Sequence, residues 1–208
     1  DLDGVNYSGA GETDPVFDAA EVPACCDCGE DEYYVTYAGE SYCIEPIVGG
    51  ESPEDFYDYS PVSSGNTDIQ RDNAAVLFLY KESEGAEPRL FVLLDQLDNE
   101  DGGGYASFTI EGDLTDTDWE SLDWEEEDDS GDESDDEYSI GPDEATADWI
   151  WGDTRTDGGV LGSLTDDFAL RIAADLNGAA LFSDPAEREF DPEVGPGVTS
   201  LLLLTGDT

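Results

Sequence analysis

The 208-residue chain sets 55 Asp and Glu against six Lys and Arg, a formal charge of −49, and contains neither histidine nor methionine. That balance leaves no basic surface for nucleic-acid phosphates, and the missing imidazole removes Ser-His-Asp, Cys-His and His-bearing zinc chemistry. Eight Phe, ten Tyr and four Trp supply enough apolar surface for a core, so the acidity does not signal disorder along most of the chain.

In chain order, residues 1–18 are rich in Gly and acid, with isolated Val5, Tyr7, Val16 and Phe17. They read as an extended arm without a core of its own. Asn6-Tyr7-Ser8 forms an acceptor pattern for N-glycosylation. Cys25, Cys26 and Cys28 follow, with Cys43 further on. Residues 32–37 and 40–48 are β-prone runs separated by Ala38-Gly39, the pattern of a hairpin. Gly, Pro and Ser punctuate 49–67, which reads as a connection. Residues 1–67 are therefore expected to form an N-terminal arm, a cysteine-stapled hairpin and a linker, with the main domain at 68–208.

Within that domain, 73–81 and 89–97 are dense in Val, Leu and Phe, and the turn 84–88 between them predicts two antiparallel central strands. Residues 105–112 place Ala106, Phe108 and Ile110 on one side and Tyr105, Ser107 and Thr109 on the other, the period of a half-buried strand. Aromatic strands at 117–124 and 146–151 flank the acidic run 125–137. Ten of its thirteen residues are acidic, which predicts a solvated loop. Phe168, Leu170, Ile172 and Ala174 alternate as in a strand, a helix being the alternative there. Segments 179–182 and 198–204 bring the total to about ten short strands. With no amphipathic helix of about 10 to 15 residues between strands, the expected class is all-β, an antiparallel β-sandwich or jelly roll.

The charge has a consequence for the solvent. At 0.15 M salt the Debye length is about 8 Å and carboxylates across a small domain repel one another, whereas at 1 M it falls to about 3 Å. Five of the six cations are arginine, Lys81 being the one lysine. This composition resembles that of the acidic secreted surface proteins of halophilic archaea, a likeness to a class rather than to one family, and it implies a saline, extracellular or cell-surface setting. Asp1 as first residue and the lack of methionine lead to the same expectation, a removed signal peptide. No apolar stretch approaches the roughly 20 residues that span a bilayer.

Four cysteines in a secreted chain point to disulfides, with Cys43 paired to one of Cys25, Cys26 and Cys28. A four-thiolate zinc or iron site and free thiols are the alternatives. The loop from 95 to 104 sets Asp95, Asp98, Asn99 and Asp101 before three glycines, a donor set suited to Ca²⁺, against the alternative of a solvated acidic surface. Residues 153–158 come nearest to a Ca²⁺-loop spacing, but Arg155 stands where a ligand is required. Trp149 and Trp151 share a strand face, with Trp119 and Trp124 upstream; these rings either fill the core or present stacking surface.

No enzymatic constellation is present, and calcium is the one cofactor suggested. The expected role is a secreted structural subunit of a filament, pilus or surface layer in a halophile, with copies of itself as partner and cations on its carboxylates. Strand exchange between copies would use the arm residues Val5, Tyr7, Val16 and Phe17. The alternative is a monomeric adhesion module that binds carbohydrate or protein, or a surface protein of a halophile's virus.

Overall fold

A computed structural model of the chain describes residues 5–7, 16–17, 33–37, 40–57, 67–96, 104–114, 119, 122–127, 136–151, 156–164, 168–176, 198 and 200–204. In chain order these residues form β1 (Val5–Tyr7), β2 (Val16–Phe17), β3 (Tyr33–Tyr37), β4 (Glu40–Ile44), β5 (Ile47–Val48) and the helix α1 (Pro53–Tyr57). Next come β6 (Ala74–Lys81), β7 (Arg89–Leu94), β8 (Gly104–Leu114), β9 (Asp123–Glu127) and β10 (Glu137–Ile140). The last strands are β11 (Glu144–Trp151), β12 (Asp157–Gly162), β13 (Phe168–Leu176) and β14 (Ser200–Leu203). The fold is all-β, largely antiparallel, with one short helix among the described residues.

Two seven-stranded sheets result. The first runs β1-β14-β6-β7-β12-β9, with β5 also on β6; the second runs β10-β11-β8-β13-β2-β3-β4. Every residue of β6 is buried, as are Leu90 to Leu94 of β7. Their unbroken apolar runs pair antiparallel, Phe78 opposite Phe91, across the predicted turn. A period of two then divides the side chains. Ala75, Leu77, Leu79, Leu90, Val92 and Leu94 enter a cluster shared with the second sheet, while Val76, Phe78, Tyr80, Phe91 and Leu93 enter a cluster on the opposite face. The second sheet supplies Ala106, Phe108 and Ile110 of β8, and Ala145, Ala147, Trp149 and Trp151 of β11, to the shared cluster. The alternation read at 105–112 and the shared face of Trp149 and Trp151 both hold.

The outer face of the first sheet is covered by α1. Ser52 caps it: the Ser52 Oγ accepts the Asp55 amide N–H at 3.1 Å and donates to Asp55 Oδ2 at 2.9 Å, with Pro53 at the first helical position. The Phe56 ring lies 4.4 Å from that of Tyr80 and 5.6 Å from that of Phe91, and Tyr57 is buried beside them. The connection expected at 49–67 therefore holds a helix. At five residues it is too short to show a helical period and too short to persist without the aromatic face beneath it.

Other boundaries moved for physical reasons. The 40–48 run breaks at Pro46, which lacks the N–H a ladder needs, and Ile47–Val48 then pairs parallel with β6 in the other sheet. The strand expected at 117–124 begins instead at Asp123 and continues to Glu127, inside the acidic run; Glu137, at the other end of that run, opens β10. β10 and β12 were not foreseen. The arm contributes β1 to the first sheet and β2 to the second, so strands from 1–67 pair into the sheets of 68–208. β13 is a strand, not a helix. Residues 179–182 lie outside the described set.

Candidate assembly edge

One edge of β6 is shared, end to end, by two strands that both run parallel to it. Its first half, Ala74 to Leu77, takes β14 in the register Ser200↔Ala74 to Leu203↔Leu77. Its far end, Tyr80 and Lys81, takes β5. The Leu204 amide N–H extends the first pairing by donating to the Leu77 carbonyl at 2.9 Å, and the Gly49 N–H extends the second by donating to Lys81 O at 3.1 Å. On its other side β14 is paired antiparallel by β1, Val5↔Leu203 to Tyr7↔Leu201, and among the described residues β1 ends the sheet.

Both faces of this edge are apolar. Leu201 is buried in the shared cluster with Leu203 against it, while Leu204 is buried in the outer cluster with Leu202 against it. Val198 is buried in the shared cluster as well. The β5 end is closely packed: Tyr80 Oη donates to the Glu51 carbonyl at 2.8 Å, and a Cβ on Gly49 would overlap the Tyr80 ring. Burial raises the Tyr80 phenol above its ordinary value, so the ring stays a neutral donor. Lys81, also buried, sets its Nζ 5.7 Å from the centroid of the Tyr33 ring, which joins β6 to β3 of the other sheet.

The opposite ends of the sheets differ in character. β9 carries the sequence Asp-Trp-Glu-Glu-Glu and β10 begins with Glu137. Charged edges repel an added strand. Here aromatic packing links the sheets. Trp124 of β9 meets Trp149 at 5.9 Å and Tyr138 at 5.5 Å; Trp149 Nε1 donates to Tyr138 Oη at 2.8 Å, which donates to Gly158 O at 3.2 Å. All four tryptophans are buried, so none offers the stacking surface weighed for an adhesion module.

The remaining predicted site residues are dispersed. Asp95, fully buried, turns its carboxylate into the protein: Oδ1 accepts the N–H groups of Asn73 and Gln96, each at 2.9 Å, and Oδ2 accepts Trp151 Nε1–H at 3.1 Å. Asp98, Asn99 and Asp101 lie outside the described residues. Among the described residues no group of three or more Cys, Asp or Glu is placed to hold a metal ion. Cys43 is exposed on β4 opposite Tyr34, and Cys25, Cys26 and Cys28 lie outside the described residues. Asn6 pairs with Leu202 in an edge strand, and of the arm residues Val5 and Tyr7 lie on β1 while Val16 and Phe17 lie on β2. No helix among the described residues is long and apolar enough to cross a membrane. Sequence reasoning read Ile47–Val48 as part of the hairpin rather than as a strand on β6, and missed α1, which covers the outer face of the sheet; Ser52-Pro53 was the one local signal for the helix. No family model, no curated protein and no solved structure matches the chain.

Proposed function

We propose that the chain is a secreted structural subunit of an extracellular filament, pilus or surface layer in a halophile, assembled by β-strand exchange between copies. In this reading the two sheets pack as a sandwich, supported by the single cluster that draws side chains from both. A disulfide from Cys43 staples the β3–β4 hairpin to the cysteine cluster, supported by the bonded state of the Cys43 sulfur. The charge of −49 keeps such a surface hydrated in brine.

The observation that carries the proposal is the pairing of β1. Three residues at the outer end of a sheet are held there by main-chain pairing to β14. A sheet edge presents N–H and C=O groups to which an equivalent strand from a neighbour can pair, and three residues cover only part of the β14 edge. Deleting residues 1–8 removes β1 and spares β2. Electron microscopy at molar salt is expected to show regular polymers for the full chain and dispersed, folded particles for the deletion. Normal polymers from the deleted chain would overturn assembly through this edge, and dispersed particles from the full chain would overturn the polymer itself.

A further inference from the structure

Four cations lie among the described residues, and three of them have an oxygen partner in their own copy. Arg71 Nη1 donates to the carbonyls of Ile69 and Gln70 at 2.8 and 2.7 Å, Arg89 Nη1 donates to Glu87 O at 3.1 Å, and Arg171 meets the Glu111 carboxylate at 3.4 Å. Lys81 is the exception. The residue is 7 % exposed, and among the described residues its ammonium has the Tyr33 ring, 5.7 Å away, but no carboxylate or carbonyl. An ammonium carries three donors, and a ring face does not satisfy them as oxygen atoms do. Buried charges are ordinarily paired, and here 55 acidic residues are available to pair with.

Lys81 ends β6 at the margin between the two sheets. Tyr80 belongs to the outer cluster, so by alternation Lys81 faces the second sheet, where it meets Tyr33 of β3. β5 repeats the division: Ile47, beside Tyr80, packs on the outer cluster, and Val48, beside Lys81, takes the inner side. Val48 is nevertheless 45 % exposed, the one large apolar side chain so exposed among the described residues. On the second sheet Tyr33 stacks on Phe168 at 5.1 Å, both rings half-buried. An apolar side chain and a stacked ring thus flank one ammonium. Among the described residues no strand continues the sheet beyond β5.

We infer that this margin is a docking site for the acidic end of a second copy, where a carboxylate pairs with Lys81 and Val48 covers the pair. The inference rests on the filament reading and adds a side-chain contact on the same side of β6 as β14 and β1. Charge decides the occupant. At the end of the sheets away from β1, β9 opens with the exposed Asp123 and β10 with the exposed Glu137. A contact between unlike ends does not close on itself, so it propagates as a filament. Salt acts on it in two ways. At molar concentration a Debye length of about 3 Å removes the general repulsion between copies, whereas a pair shielded by Val48 and Tyr33 is screened less. The contact therefore needs brine to form and persists there.

A carbodiimide joins an amine to a carboxylate in contact with it, and Lys81 is the sole lysine of the sequence. Assemblies formed at molar salt from a mixture of isotopically light and heavy chain, treated in this way, are expected to yield Lys81 joined to Asp123 or Glu137 in peptides of mixed isotope. Intact filaments without a mixed-isotope link at Lys81 would overturn the docking site and leave the filament reading standing. Mixed links from closed dimers without filaments would support the site and overturn the filament. Dispersed particles without mixed links would overturn both. Two variants test the contact without chemistry. Lys81→Met keeps the apolar stem and removes the ammonium; with tryptophan emission unchanged, the critical concentration for filaments is expected to rise about tenfold or more. Val48→Asp, at an exposed position, supplies Lys81 with a carboxylate from its own copy and is expected to raise the critical concentration in the same direction while the cation remains. An unaltered critical concentration in either folded variant would count against the site.

Discussion

Asp95 brings a carboxylate into a site with no solvent exposure, and three N–H donors within 3.1 Å of its oxygens make that burial tolerable. Its backbone is left-handed at φ 66°, as is that of Asn73 at 54°, conformations that Asp and Asn adopt more readily than most residues. The pair ends β7 and opens β6, and through Trp151 ties both to the second sheet. Asp95→Asn keeps one acceptor oxygen but sets an amide NH₂ against a second donor. Denaturant unfolding at molar salt is expected to show a loss of about 2–3 kcal/mol with an unchanged m value. No loss would mean that the three contacts contribute nothing. The composition of the 95–104 loop suggested a cation ligand because an aspartate has the same formula whether it faces a metal, water or the protein's own N–H groups. Only the turn of the backbone distinguishes these cases.

The strands of the second sheet show where charge acts on an element. Antiparallel pairing sets Glu144 directly opposite Glu111 and Glu137 directly opposite Asp148, and like charges so placed repel. Arg171 lies 3.4 Å from Glu111, with both side chains about half exposed. Glu144→Gln is expected to lower the salt concentration at the folding midpoint, followed by circular dichroism. The stabilisation is about 0.2–1 kcal/mol in dilute salt and vanishes at molar salt. Glu84→Gln, in the exposed turn between β6 and β7, serves as control, and an equal shift there would mean that net charge alone matters. The alternation of β8 was readable because its apolar side chains recur every second residue. β12 was not, since its sequence Asp-Gly-Gly-Val-Leu-Gly has few side chains to form a pattern. Gly158 fits there because its φ is 145° and a Cβ would collide with the Val92 carbonyl, a requirement imposed by the neighbouring strand.

For the molecule as a whole, repulsion among carboxylates opposes a core that is apolar on both faces of one sheet. Diluting the folded protein from molar salt to 0.15 M lengthens the Debye range from about 3 Å to about 8 Å. Cooperative unfolding is expected, read as a red shift in tryptophan emission because all four indoles leave buried sites. Unaltered emission and circular dichroism after dilution would remove the premise that salt is the working solvent. The sequence alone determined the net charge, the all-β class and the hairpin pairs β6–β7 and β3–β4, because charge sums along a chain and side-chain alternation is local. It did not determine that β14 lies parallel between β6 and β1, that β5 crosses from one sheet to the other, or that α1 covers an outer face. Those pairings join residues far apart in sequence, and each is set by which edges and apolar faces remain once the central strands have packed. No local pattern records that.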